Sequence, residues 1–378
     1  MKTKDIGIYC HIPFCLKKCA YCDFYSGCFY EYADRFVDAI INEASIYAGH
    51  YPELKVSTVY FGGGTPSSLS SIQLEKLIKG VLSLFQIDAD AEITLEANPA
   101  TLDVEKLTIL KKCGINRLSM GVQSSDNQEL STLSRLHTYE EFLETYTLTK
   151  SYIGNISLDL MYGLPDQTLD SFERSLRDII SLDPAHISLY ALKIEPDTPF
   201  YHMADRLNLP SDDTVAEMYL LAHTILESEG YRQYEISNYA KQGSFSRHNL
   251  RYWQGKEYLG LGPSAHSYYD NVRDANISDI TSYLEALERD FLPERVEREI
   301  LDESDLIKEA ILLSMRLVSG LDLESLQKRF HYDLLKEKGR LIESYCKEGF
   351  LKCQNDKLSF TTKGFLVSNT IISELLPD

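Results

Sequence analysis

Cys15-Leu-Lys-Lys-Cys19-Ala-Tyr-Cys22 follows directly on Tyr9-Cys-His-Ile-Pro-Phe14 and runs into Asp23-Phe24. The spacing C-x3-C-x2-C lets three thiolates reach three corners of one cubane iron–sulfur cluster. A fully ligated cluster takes four thiolates. No fourth Cys stands at a natural spacing, so one iron is left open for a small ligand. On the residues alone other readings stay open. Zinc takes four protein ligands, and His11, or Cys28 six residues on, could supply the fourth. The thiols could also be unrelated to one another. A disulfide framework does not suit a chain of 378 residues whose start, Met-Lys-Thr-Lys-Asp, lacks the apolar stretch of a secretory signal.

Outward from this stretch the chain alternates strand and helix. Residues 6–12 read as a strand ending at the thiol loop, and apolar residues from Tyr32 to Tyr47 recur at helical steps. Strands follow at Val56–Phe61, Glu92–Glu96, 116–122, 154–161, 185–191 and 231–236. Helical patterns occupy 71–85, 103–112, 169–181 and 213–229. A pitch of about thirty residues per unit is that of strands joined by helical crossovers. The expected fold is therefore α/β with parallel strands, an open sheet or a barrel.

The distinctive polar groups stand at the C-terminal ends of these strands: Cys15, Gly62-Gly-Gly-Thr-Pro66, Glu96, Gln123 and Asp159. Ligands of parallel α/β folds bind at those ends, so the groups are expected to share one site. Three Gly after a strand let a ligand approach the backbone closely, although a simple tight turn has the same composition. Glu96 reads equally as a solvated strand end, and Arg135 with Asp159 as an ordinary ion pair.

Bulk properties narrow the function. The formal net charge of −19 argues against a broad nucleic-acid surface. No apolar run approaches the length of a membrane span, and the reading is a cytoplasmic protein with reduced Cys. His248-Asn-Leu-Arg-Tyr-Trp253 contains the single Trp and reads as a packed aromatic cluster or as a heme site, where imidazole ligates iron and aromatic rings cover the porphyrin. His266 reads as structural. Cys10, Cys113, Cys346 and Cys353 show no metal spacing. Beyond residue 301 the pattern changes to helices at Ile307–Val318, Leu323–Phe330, Leu334–Glu348 and 363–376, with a hairpin turning at Asn355-Asp356. That order is similar to a winged helix. The expected division is 1–240, a connecting segment 241–300 that holds the His248 motif, and a helical unit 301–378.

The Cys15/Cys19/Cys22 motif with Tyr21 before its last Cys resembles that of radical S-adenosylmethionine (SAM) proteins. Tyr9-x-His11-Ile-Pro-Phe-Cys15 and Tyr21-Cys-Asp-Phe24 resemble the family of oxygen-independent coproporphyrinogen III oxidases and their heme-chaperone branch. The resemblance implies a partial (β/α)6 TIM-like barrel and a helical C-terminal domain that covers the barrel mouth or meets partners. It implies a [4Fe-4S] cluster on Cys15, Cys19 and Cys22, and SAM held by Tyr9, Tyr21, Gly63, Gly64, Thr65, Glu96, Gln123, Arg135, Asp159 and Ala191. Gln123, Arg135 and Asp159 match positions that hold a second SAM in the oxidase. A reduced cluster would split SAM into methionine and a 5′-deoxyadenosyl radical. The oxidase carries a further Cys where this chain has Phe24, and a longer segment ahead of the cluster. These departures, with His248-Asn-x-x-Tyr-Trp253, imply a heme chaperone with His248 as ligand rather than a porphyrinogen decarboxylase. The implied partners are heme and acceptor hemoproteins, among them those of the respiratory chain. A homodimer is among the assemblies open to it, and nucleic acid is not an expected partner.

Overall fold

The computed structural model describes residues 4–377. Six strands pair in parallel in chain order: β1 (Lys4–Ile12), β2 (Leu54–Gly63), β3 (Gln86–Ala97), β4 (Arg117–Gln123), β5 (Ile156–Tyr162) and β6 (His186–Ala191). Helices Ala33–His50, Ser71–Leu84, Val104–Lys112, Tyr139–Lys150 and Leu169–Ser181 make the crossovers. Their starts are encoded locally. Ser70 with Gln73, and Thr138 with Glu141, form reciprocal capping boxes that satisfy two orphan backbone donors each. The outward faces of the strands bury Ile6, Ile8, Val59, Leu95, Leu118 and Leu158 completely. The inward faces are polar, and this matters for the site.

The parallel order stops at β6. The run expected as another parallel strand at 231–236 is instead a reversal between β7 (Arg232–Gln233) and β8 (Asn238–Ala240), with β8 antiparallel to β6. Tertiary contacts override its strand-like pattern. His186 Nε2 takes the Tyr234 hydroxyl at 2.8 Å, and Ile236 N donates to Arg316 O at 3.0 Å.

Residues 241–300 extend the sheet. β9 (Tyr258–Leu261) pairs in parallel with the free edge of β1, and β10 (His266–Tyr269), β11 (Val272–Asn276) and β12 (Arg295–Ile300) follow antiparallel, completing one 12-stranded sheet. An unpaired strand edge exposes a row of donors and acceptors, and β9 covers that of β1. Glu43 of the first crossover helix, 0% exposed, fastens this addition. It accepts from Gly262 N (2.8 Å), Asn276 Nδ2 (2.7 Å) and Tyr283 Oη (2.7 Å).

The C-terminal unit is helical, with helices Glu303–Ser314, Leu323–Phe330 and Leu334–Lys347 around β13 (Leu321–Asp322), β14 (Leu351–Gln354) and β15 (Lys357–Phe360). The hairpin turns at Asn355 and Asp356, both at positive φ, as a two-residue turn requires. The helix expected over 363–376 is broken into Thr362–Phe365 and Ser368–Leu375. Gly364 packs so closely on Phe350 O that a Cβ there would lie 2.0 Å from it. Leu326, Phe330, Phe360 and Ile371 belong to one apolar core with Met120, Leu158 and Ile187 of β4–β6. The unit thus packs on the second half of the barrel's outer side. Among the described residues no helix is long and apolar enough to cross a membrane.

Candidate functional site

A cavity of about 530 Å³ opens at the C-terminal ends of β1–β6. Its lining brings together Cys15, Cys19, Cys22, Tyr21, Gly63, Gly64, Thr65, Glu96, Gln123, Arg135, Asp159 and Ala191. Two sequence-derived candidates, Tyr9 and His248, do not line it. Among the described residues none of 301–377 is part of the lining, so they do not cover this mouth.

The thiol loop is closed on itself. Cys15 N donates to Gly27 O (2.9 Å) and Gly27 N to Pro13 O (2.9 Å). Cys15 Sγ lies 3.6 Å from Thr65 Oγ1, and Arg135 Nη1 donates to Cys19 Sγ at 3.4 Å. Neither proposed fourth ligand lines the cavity. His11 uses both ring nitrogens, Nδ1 with Tyr9 Oη (3.0 Å) and Nε2 with Tyr25 O (2.8 Å). Cys28 Sγ donates to Cys15 O and Leu16 O and does not line the cavity. Tyr9 therefore serves His11 from below the cavity and is not a lining contact. Among the described residues no three His, Cys, Asp or Glu side chains gather tightly enough to hold a single ion.

The glycine run forms a cradle. A Cβ on Gly64 would lie 2.7 Å from Phe14 O and 3.1 Å from Cys15 Sγ, and one on Gly62 3.0 Å from Glu96 Oε2. Gly63 has φ of +109° and its N–H donates to Glu96 Oε2 at 3.0 Å. Tyr60 donates to Glu96 Oε1 at 2.7 Å. Burial raises the Glu96 carboxyl to about 7, with Tyr60 opposing and Asp159 adding to the rise. Asp159 is raised by burial too, and Ser119 Oγ donates to both its oxygens at 3.2 Å. Gln123 sits at φ 69°, a conformation rare outside Gly and concentrated at functional sites. Arg135 Nη2 donates to Gly121 O at 2.6 Å, while its buried Nε has no partner.

His248 lies toward the other end of the barrel. It is 1% exposed. Its Nδ1 pairs with Thr58 Oγ1 (2.9 Å), its Nε2 with Tyr252 Oη (2.8 Å), and its ring stacks on Tyr60 with centroids 5.2 Å apart. It rides on helix Arg247–Trp253, whose first N–H groups, those of Arg247 and His248, donate to Glu92 at 2.9 and 3.0 Å. His266 is exposed on β10 and lines neither region.

Several participants are absent from the motif reading: Thr58 and Tyr60 on β2, Glu92 on β3, Arg117 and Ser119 on β4. Arg117 is a 2%-exposed guanidinium whose charge opposes the rise of both Glu96 and Asp159. Their signal is a two-residue period, Thr58/Tyr60/Gly62, Glu92/Thr94/Glu96 and Arg117/Ser119/Gly121, which places polar groups on the same face of each strand.

Residues 9–179 match the model of the radical SAM superfamily, and residues 301–367 that of the HemN C-terminal domain. A heme chaperone HemW of Bacillus subtilis is 36% identical over 97% of this chain and 98% of its own length. The chain belongs to the HemW family. The HemW of Escherichia coli is 39% identical over 70% of this chain and 71% of its own. The solved structure of coproporphyrinogen III oxidase (HemN) from Escherichia coli aligns with a TM-score of 0.85 over 99% of this chain and 90% of that one, at 24% identity, and has the same fold. For this HemW-family chain the superfamily implies SAM and a [4Fe-4S] cluster. The residues fit them: three thiols share the cavity, the glycine backbone lies open beside them, and the unpaired Arg135 Nε awaits an acceptor.

Proposed function

We propose that this protein binds heme and transfers it to acceptor hemoproteins. In this reading Cys15, Cys19 and Cys22 hold a SAM-ligated [4Fe-4S] cluster in the cavity. When bound, the cluster would supply one-electron chemistry. Gly63, Gly64, Thr65 and Glu96 would seat SAM, with Tyr21, Gln123, Arg135, Asp159 and Ala191 around it. The observation that carries the reading is the full-length likeness to heme chaperones. The acceptors we have in view are respiratory-chain hemoproteins, met from the cytoplasm by a monomer or a homodimer.

His248 is the proposed heme ligand. Burial, with Arg251 and Arg117 nearby, pushes its pKa down to about 3, so the imidazole is neutral, the form that binds iron. In the present conformation both its nitrogens are hydrogen-bonded. Ligation therefore requires the helix to shift and give up Thr58 or Tyr252. Anaerobically reconstituted protein should take up about one equivalent of heme, His248→Ala should lose it, and coproporphyrinogen III should not be consumed. Unchanged heme uptake in His248→Ala would remove His248 as ligand. Conversion to protoporphyrinogen IX would replace the chaperone reading with the oxidase.

Glu96 makes SAM binding depend on pH. A carboxyl raised to about 7 is largely protonated below neutrality, and only the carboxylate accepts from both an ammonium and a hydroxyl. SAM affinity should therefore rise as pH is taken from about 6 to 8, with proton release in the lower half. Glu96→Gln should flatten the profile. A wild-type affinity independent of pH in calorimetry would show that Glu96 does not hold SAM.

A further inference from the structure

Beneath the His248 helix, on the outside of the barrel floor, lies a second open cavity of about 470 Å³. Its lining includes four cations, Lys55, Arg247, Arg251 and Lys256, against two carboxylates, Asp5 and Asp88. The chain as a whole has the opposite balance, 38 basic to 57 acidic residues. Arg251 pairs with Asp5, and Lys55 with Asp88. Arg247 Nη1 donates to the Asp90 carbonyl at 2.6 Å but lies 3.8 Å from Asp90 Oδ2, so its charge has no close carboxylate, and Lys256 has no acidic partner among the described residues. Arg247 and Arg251 are four residues apart on one helix, where like charges disfavour each other. Such an arrangement is relieved by an anion.

The cavity adjoins the heme motif through one side chain. Thr58 lines it and is also the Nδ1 partner of His248. Arg247 precedes His248 in the chain. The other cavity touching the motif, beside Trp253, holds about 150 Å³, too small for a porphyrin by comparison with typical ligand sites of ~300–1,000 Å³.

We propose that this floor pocket recognises the two propionate carboxylates of heme, with Arg247 and Lys256 as the principal contacts and Arg251 and Lys55 behind them. The assignment rests on the heme reading above and names the residues that would receive the porphyrin edge. Guanidinium suits a carboxylate through paired N–H donors. With the propionates seated on Arg247 and Lys256, the iron comes in toward His248 as the Thr58 bond is released.

The test compares heme with its dimethyl ester, in which both propionates are masked. Wild-type protein should bind the ester ~10–100-fold more weakly than heme, at about tenfold per lost charge-assisted contact. Arg247→Glu with Lys256→Glu should weaken heme by a similar factor and leave ester binding unchanged. Both residues are exposed, and the ester arm needs no variant, so misfolding cannot imitate the result. Equal affinity of the wild type for heme and ester, with heme still lost in His248→Ala, would overturn the pocket while leaving the chaperone reading intact. Absence of heme binding to the wild type would end both.

Discussion

Replacing Cys15, Cys19 or Cys22 singly by Ala is expected to abolish the visible absorption of the iron–sulfur cluster and reduce bound iron to background after anaerobic reconstitution. Losing an outer-shell partner of a metal site typically costs ~10–100-fold in affinity or activity, and a ligand itself more. With three thiols sharing the cavity, no fourth Cys and no His lines it among the described residues. Cys28 points its Sγ at Cys15 O and Leu16 O, and both nitrogens of His11 are committed to Tyr9 and Tyr25. Cys28→Ala should for the same reason retain the cluster. Iron content that falls in Cys28→Ala as far as in Cys22→Ala would make Cys28 a ligand, close the open corner and remove the seat proposed for SAM.

Glu43→Ala is expected to cost about 2–6 kcal/mol of unfolding stability, the range for leaving two buried donors unsatisfied. Glu43 is fully buried, and its loss strands Gly262 N and the Tyr283 hydroxyl away from water and leaves the Asn276 amide with Gly262 O alone. Each unsatisfied group costs about 1–3 kcal/mol. The damage should be local before it is global. These donors all sit between β9 and the helix Ile280–Leu287, so hydrogen exchange should accelerate across 258–300 while β2–β5 stay protected. A loss below about 1 kcal/mol, or uniform acceleration, would show that the β9–β12 extension is held by its strand pairing alone.

The extension also bears on heme. β9 is preceded by Glu257, whose carbonyl accepts from Arg251 at 3.1 Å on the same helix as His248. The site proposed for heme is thus assembled from the start of β2, from Glu92 of β3 and from a segment nearly 200 positions away in the chain, since Thr58 and His248 are 190 residues apart. The cavity proposed for SAM is likewise built from six strand ends. Tyr60 touches both, bonded to Glu96 above and stacked on His248 below.

Much of this was legible in the residues. The C-x3-C-x2-C spacing, the glycine triplet after a strand and the helix repeat are local patterns, and local patterns set strand and helix boundaries to within a few positions. The placement of Cys15, Glu96, Gln123 and Asp159 around one cavity followed from parallel topology, because that topology sends every strand end the same way. What the residues concealed was pairing across long separations. Nothing near Glu43 announces Gly262, and a two-residue polar period along β2–β4 does not say what faces it. The mismatch at 231–236 has the same origin, since its apolar alternation suits a strand but the partners of Tyr234 and Ile236 come from His186 and Arg316. Whether His248 is exposed, buried or bonded depended on which groups filled the floor of the barrel, and a contact 190 residues apart leaves no mark on either end of the chain.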